Sequence, residues 1–334
     1  MQRLLSLGRT LIFAGFTALA GSLGFASAAS AAAPLTIGYS DWPGWIAWQV
    51  AIDKGWLAQA GLDVKFEWFD YSASLSAYAA GKLDADLVAN VDALVNGSGG
   101  AKSIMIMLTD YSSGNDMIVA KPPFRTVKSL KGQKIGIEVG VVEQLLLDHA
   151  LAANGMTQSD VTLVNTVTNE TPQVLASGSV AAIGAWEPNS GMAMQETPGA
   201  RPVYTSAEAP GLIYDALAVS PASLTSHRAD WIKLIKVWSK VVAYINDPAT
   251  QPDAIKIMAA RVGLTAPQYK AFLGGTHLLD LAAGNAAYVK GPGLNSIYGS
   301  TENADAFNVA NGVYKTKQDV DNYIDGSLEK AAAQ

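Results

Sequence analysis

No cysteine occurs among the 334 residues, which removes disulfides, zinc–thiolate sites, iron–sulfur clusters and cysteine nucleophiles. Histidine is nearly as scarce. His149, His227 and His277 stand isolated in the chain, so no metal centre and no histidine-based catalysis is expected. Charge is thin at 16% and positive charge thinner, with 23 Lys and Arg against 29 Asp and Glu and a net charge of −6. That balance lacks the basic footprint on which nucleic-acid binding rests. Disorder is excluded from the other side, because 49% of the residues are hydrophobic. The length allows one large domain or two of about 150 residues, and two lobes are expected.

What is present begins with an export signal. Arg3 and Arg9 form a positive start, Thr10 to Phe25 is apolar and small-residue rich, and Ala26-Ser27-Ala28 has the small-x-small form of a cleavage site. A membrane anchor suits the stretch less well, because it is short, interrupted by glycines and followed by Ala and Ser. Residues 1–28 are therefore read as a secretory signal cleaved near Ala28, and the exported chain as a periplasmic protein. Cleavage removes two arginines and no acid, leaving 21 basic against 29 acidic residues, or −8.

After Pro34, β-type runs alternate with helical patterns, which predicts an α/β fold with mostly parallel sheets. Leu35–Tyr39 and Val64–Phe69 read as strands, and Trp45 to Ala60 as one helix stopped by Gly61. From His227 to Asp247 a 3.6-residue apolar stripe predicts a long helix, with Trp231 and Trp238 in the core. An approximate repeat organises the chain. Ile37-Gly38-Tyr39-Ser40 opens one series and Ile135-Gly136-Ile137-Glu138 the other. The segments from Asp116 to Pro122 and from Asp215 to Pro221 also match each other and bracket the second series. The expected architecture is two lobes joined by a two-strand hinge: residues 34–115 plus 219–334, and residues 116–218.

Ligands of open parallel sheets bind beyond the C-terminal strand ends. The eight loops placed there hold Asp41, Asp70, Asp92, Asp110, Asp116, Glu138, Glu143, Glu170, Glu187 and Asp215, and no Lys, Arg or His. They also carry Tyr39, Trp42, Trp45, Trp68, Phe69, Tyr71, Tyr111, Trp186 and Tyr214. Aromatic faces attract a flat cation and carboxylates accept its N–H groups in pairs. Acids at helix starts also serve as caps, so about half of the ten are assigned to capping or solvent. The set expected to meet ligand is Asp41, Asp70, Glu138, Trp186, Glu187 and Asp215, with Trp42 and Trp45 as stacking faces.

The segments Ile37–Trp45, Gly55-Trp56-Leu57, Gly61-Leu62-Asp63-Val64, Ala80–Asp84, Val127–Gly136 and Ala185-Trp186-Glu187-Pro188 resemble the periplasmic substrate-binding proteins of nitrate, sulfonate and taurine type ABC importers. The resemblance implies the two-lobe periplasmic-binding-protein fold of type II, with mixed, mostly parallel sheets. It also implies a ligand enclosed between the lobes, a monomer without a cofactor, and delivery to a permease and its ATPase. Trp68-Phe69-Asp70-Tyr71, Gly114-Asn115-Asp116 and Thr168–Pro172 resemble a subgroup associated with urea and guanidine nitrogen metabolism. An anion site ringed by uncompensated carboxylates would repel its ligand, so guanidinium is the first expectation. The competing readings are an alkane sulfonate, taurine or nitrate binder, a pyrimidine-synthase-type enzyme, and a periplasmic sensor. Binding without catalysis is expected, with Asp41→Ala and Glu187→Ala weakening it.

Overall fold

A computed structural model describes residues 33–334; the expected signal at 1–28 lies outside them. The described chain opens with strands β1 (Leu35–Tyr39), β2 (Val64–Trp68), β3 (Ala85–Ala89) and β4 (Ile104–Ser112), of which β2 alternates apolar and charged residues at the sheet edge. There follow β5 (Asp116–Ala120), β6 (Lys134–Ile137), β7 (Thr162–Asn165), β8 (Ala182–Trp186) and β9 (Arg201–Thr205), then β10 (Tyr214–Val219) and β11 (Thr276–Leu278). They build two sheets, ordered β11-β4-β10-β3-β1-β2 and β7-β6-β8-β5-β9. Helices flank both, giving a two-lobe, mixed α/β fold.

The repeat seen in the sequence is architectural. In the first sheet β1 lies parallel between β2 and β3, with β10 antiparallel beside β3. In the second β6 lies parallel between β7 and β8, with β5 antiparallel beside β8. The matching segments headed by Asp116 and Asp215 are therefore equivalent strands of the two lobes. Each follows one lobe's parallel series and pairs in the other lobe's sheet.

That exchange corrects the expected boundary. Residues 214–218, assigned to the second lobe, belong to the first sheet, and the chain returns between Thr205 and Tyr214. The physical reason is the composition of β10, Tyr-Asp-Ala-Leu-Ala-Val. Every residue of it is buried, as a strand clamped between β3 and β4 requires. The outward crossing lies between Ser112 and Asp116. Ser206 ties the two crossings together: its Oγ lies 2.6 Å from Ser112 Oγ and accepts from Gly114 N–H at 2.7 Å.

The single helix expected over Trp45 to Ala60 is three short ones, α1 (Pro43–Ile46), α2 (Trp48–Asp53) and α3 (Trp56–Gln59). Gly55 separates the last two at φ 66°, a left-handed conformation that favours glycine. Then come α4 (Tyr71–Ala79), α5 (Asn90–Ser98), α6 (Val142–Ala153), α7 (Thr171–Ala176), α8 (Asn189–Glu196), α9 (Pro221–Ser226) and α10 (Arg228–Asn246). Helix α10 has the expected stripe. Trp231 and Trp238 are fully buried, and Trp238 packs on Trp48 with ring centroids 5.1 Å apart.

Candidate functional site

Both exchanged strands carry an acid at the end next to the crossings. Asp116 pairs in register with Trp186, and Asp215 with Ala89, so the two carboxylates approach the interlobe space from equivalent positions. They line a chamber of about 10 Å³ with Trp42, Trp45, Tyr71 and Trp186, closed by Ala89, Val142 and Ile213. The aromatic walls come from the β1–α1 loop, α1, the start of α4 and the end of β8, all strand-to-helix connections.

More acids crowd this point. Asp110 sits directly across from Asp215 on β4, where like charges oppose one another. Trp42 Nε1 donates to Asp110 Oδ1 at 2.8 Å, and a Cβ at Gly44 would collide with the same carboxylate. Glycine is thus required where α1 passes the acid. Asp92, in the first turn of α5, accepts from Tyr71 OH at 2.7 Å. Glu143, in the first turn of α6, has no exposed surface and reaches Asp116.

Burial without cations dominates the electrostatics. It pushes the Asp92 carboxyl up to about 7, against hydrogen bonds from Tyr71 and from Val142 N–H. Burial, reinforced by the charge of Asp110, holds Asp215 well above the ordinary carboxylate range. Burial and the charge of Asp116 do the same for Glu143. Among the described residues, no donor group reaches Asp92 Oδ1, Asp110 Oδ2, Asp116 Oδ2 or either oxygen of Glu143, and Trp45 Nε1 has no partner. Buried acceptors without donors cost roughly 1–3 kcal/mol each, more when charged, so these oxygens require N–H groups or protons. Among the described residues, no group of three or more His, Asp or Glu side chains is arranged to hold a metal ion.

Outside this chamber lies a second cavity of about 290 Å³, lined in part by Asp41, Trp68, Asp70, Glu138, Glu170 and Asn189. Tyr71 and Trp186 line both spaces. Among the described residues, no Lys, Arg or His lines either one. Two carboxylates join the lobes across the outer cavity. Asp41 of the first lobe accepts from Trp186 Nε1 and Asn189 Nδ2, each at 2.9 Å. Glu138 of the second accepts from Ser72 Oγ of the first, and its other oxygen from Thr168 Oγ1 at 3.0 Å and Thr168 N–H at 3.3 Å.

The structure thus divides the expected residues. Trp42, Trp45 and Asp215 line the inner chamber, while Asp41, Asp70 and Glu138 line the outer cavity and Trp186 faces both. Glu187 lines neither, which corrects the expectation for it. Its Oε2 accepts from Gly191 N–H at 3.0 Å, so it satisfies a free donor in the first turn of α8. The narrowed set omitted Asp92, Asp110, Asp116, Glu143 and Tyr71. Their signal was available: Asp92 and Glu143 interrupt the inward faces of Val91–Leu94 and Val141–Leu147, and Asp110 ends the apolar run Ile104–Leu108.

Three comparisons bear on this arrangement. A protein of Brucella abortus, named only as a candidate binding protein, is 30% identical over 168 residues. The aligned region is 50% of this chain and 52% of that protein, so the chain spans about half the length of the curated relatives it matches. The periplasmic aliphatic sulphonate binding protein SsuA of Escherichia coli superposes with TM-score 0.71 at 18% identity, covering 89% of this chain and 99% of its own. The periplasmic nitrate-binding protein NrtA of Synechocystis PCC 6803 gives 0.72 at 12% identity, with 90% and 88% covered. At identities this low the superpositions show a shared fold alone. The family described as NMT1/THI5 like matches residues 42–255, a span holding all of the inner chamber, and the chain belongs to that family.

Proposed function

We propose that this protein is the solute-binding component of an ABC importer that captures a small, planar, nitrogen-rich cation, guanidinium first among them. The site between its lobes is Asp41, Trp42, Trp45, Asp70, Glu138, Trp186 and Asp215, extended by Asp92, Asp110, Asp116, Glu143 and Tyr71. The observation that carries the reading is the cluster of buried acids: Asp116 and Asp215 line an aromatic-walled chamber with no cationic side chain among the described residues, and Asp92, Asp110 and Glu143, in contact with that lining, keep oxygens that no donor reaches. A planar cation supplies both missing elements, N–H groups in the plane and positive charge toward the ring faces. The protein is read as a periplasmic monomer that presents its cargo to a permease and ATPase, and its chemistry as binding rather than turnover. Among the described residues no helix is long and apolar enough to cross a membrane.

A second reading, an alkane sulfonate, taurine or nitrate as ligand, is favoured by the sulphonate- and nitrate-binding neighbours. The chamber opposes it, because among the described residues no Lys, Arg or His lines it to offset an anion's charge in a desolvated space. Titration calorimetry with guanidinium, ammonium, urea, taurine and nitrate separates the readings. Heat and saturation with guanidinium alone support the cation site. Binding of taurine or nitrate in its place overturns it, and tighter binding of ammonium shifts the reading to a smaller cation. The same preparation gives the oligomeric state by light scattering.

A further inference from the structure

The inner chamber and the outer cavity are separated by two side chains, Tyr71 of the first lobe and Trp186 of the second. Their rings meet edge to face, with centroids 5.5 Å apart and planes at 88°. Each ring is tied at its polar end. Tyr71 OH donates to Asp92 Oδ2 at 2.7 Å and accepts from Ala89 N–H at 3.0 Å. Trp186 Nε1 donates to Asp41 Oδ1 at 2.9 Å, and Asn189 holds the other Asp41 oxygen at the same distance. Packing fixes the Tyr71 ring further, since that of Trp45 lies 5.1 Å away.

The two spaces differ greatly in size, about 10 Å³ inside and 290 Å³ outside. The inner volume suits about one water-sized group, so a planar cation of four heavy atoms needs a slight outward shift of the walls. A ligand tail has ample room outside and none within. To reach that room it must pass between the two rings.

We propose that Tyr71 and Trp186 form a specificity gate that seals the inner chamber when the lobes close and excludes guanidinium compounds bearing an N-substituent. This rests on the cation reading above and adds the selectivity of the same site. An N-alkyl group would part the rings and break the Trp186–Asp41 or Tyr71–Asp92 hydrogen bond, in addition to its own steric cost. Within that site, Asp41 and Glu138 then also act as latches on the gate. Asp41 restrains Trp186 directly, and the contact of Glu138 with Ser72 holds the lobes on the other side of the opening.

The test is calorimetric titration of the purified protein with guanidinium, methylguanidine and agmatine, read as ratios of dissociation constants. One misplaced methyl group typically costs between about 10- and 200-fold, so the wild type should prefer guanidinium over methylguanidine by on the order of 100-fold. Agmatine should bind more weakly still. Trp186→Ala removes one wall and should reduce that preference by about tenfold or more, with methylguanidine gaining affinity in absolute terms. Trp186→Phe keeps a smaller aromatic wall and loses the Asp41 bond, so it should fall between, and it guards against misfolding of the alanine variant. Equal binding of guanidinium and methylguanidine by the wild type overturns the gate, as does an unchanged ratio in both variants. No binding of guanidinium at all instead sinks the cation reading on which the gate rests.

Discussion

Asp215 joins a cost to the fold with a place in the proposed site. It is buried and faces Asp110 across two paired strands, and among the described residues no cationic side chain lines the chamber to favour its ionisation. Asp215→Asn keeps shape and hydrogen-bonding capacity while removing a carboxyl whose ionisation burial and Asp110 oppose. The ligand-free variant should therefore melt no lower than the wild type. Guanidinium binding should weaken by about 2 to 5 kcal/mol, the usual cost of deleting one member of a buried charge pair. Thermal melts beside calorimetry check both halves. A variant that melts lower yet binds normally would make Asp215 a structural residue.

At the scale of elements, Glu187 stands where strand β8 gives way to helix α8, and its position explains why it misleads a reader of the sequence. It follows Trp186, which faces both cavities, but side chains of successive residues at a strand end point opposite ways, so Glu187 turns to the helix. Burial raises its carboxyl to about 6, and the Gly191 N–H partly counters that rise. Glu187→Ala should lower stability by about 1 kcal/mol, as loss of a helix cap does, with ligand affinity unchanged. Glu187→Gln retains an acceptor and should recover the melting temperature. A large loss of affinity in both variants would return Glu187 to the site.

For the whole molecule, the concentration of buried acids in one interlobe region makes stability depend on pH in an unusual direction. Asp92 has its carboxyl raised to about 7, whereas in an unfolded chain it titrates near its ordinary value of 3.8. Below about pH 4 both states hold the proton and the full contribution is present. Between there and about pH 7 the folded state keeps protons that the unfolded state releases, so stability falls as pH rises and levels off above 7. Asp215 and Glu143 are raised in the same direction and add to the fall. A bound cation favours the ionised acids, so the rise in melting temperature it produces should grow from pH 5 to pH 8. Melting curves with and without guanidinium across that range measure both slopes. A ligand-free melting temperature that climbs with pH contradicts the assignment.

Much was legible in the residues alone because it rests on local or periodic physics. Alternating strand and helix patterns marked the α/β class, the matched segments at Asp116 and Asp215 marked equivalent strands, and the apolar stripe of α10 placed its tryptophans in the core. The absence of Lys, Arg and His from the strand-end loops marked the site as negative. What the residues alone left open depends on direction and on partners far apart in the chain. Whether an acid caps a helix, as Glu187 does, or lines a chamber, as Asp215 does, turns on which way a side chain leaves its element. That β10 belongs to the first sheet follows from its burial between strands distant in sequence. The pairing of Asp41 with Trp186 and Asn189, and the division into two cavities, exist only when the lobes meet, because each is assembled from residues of both.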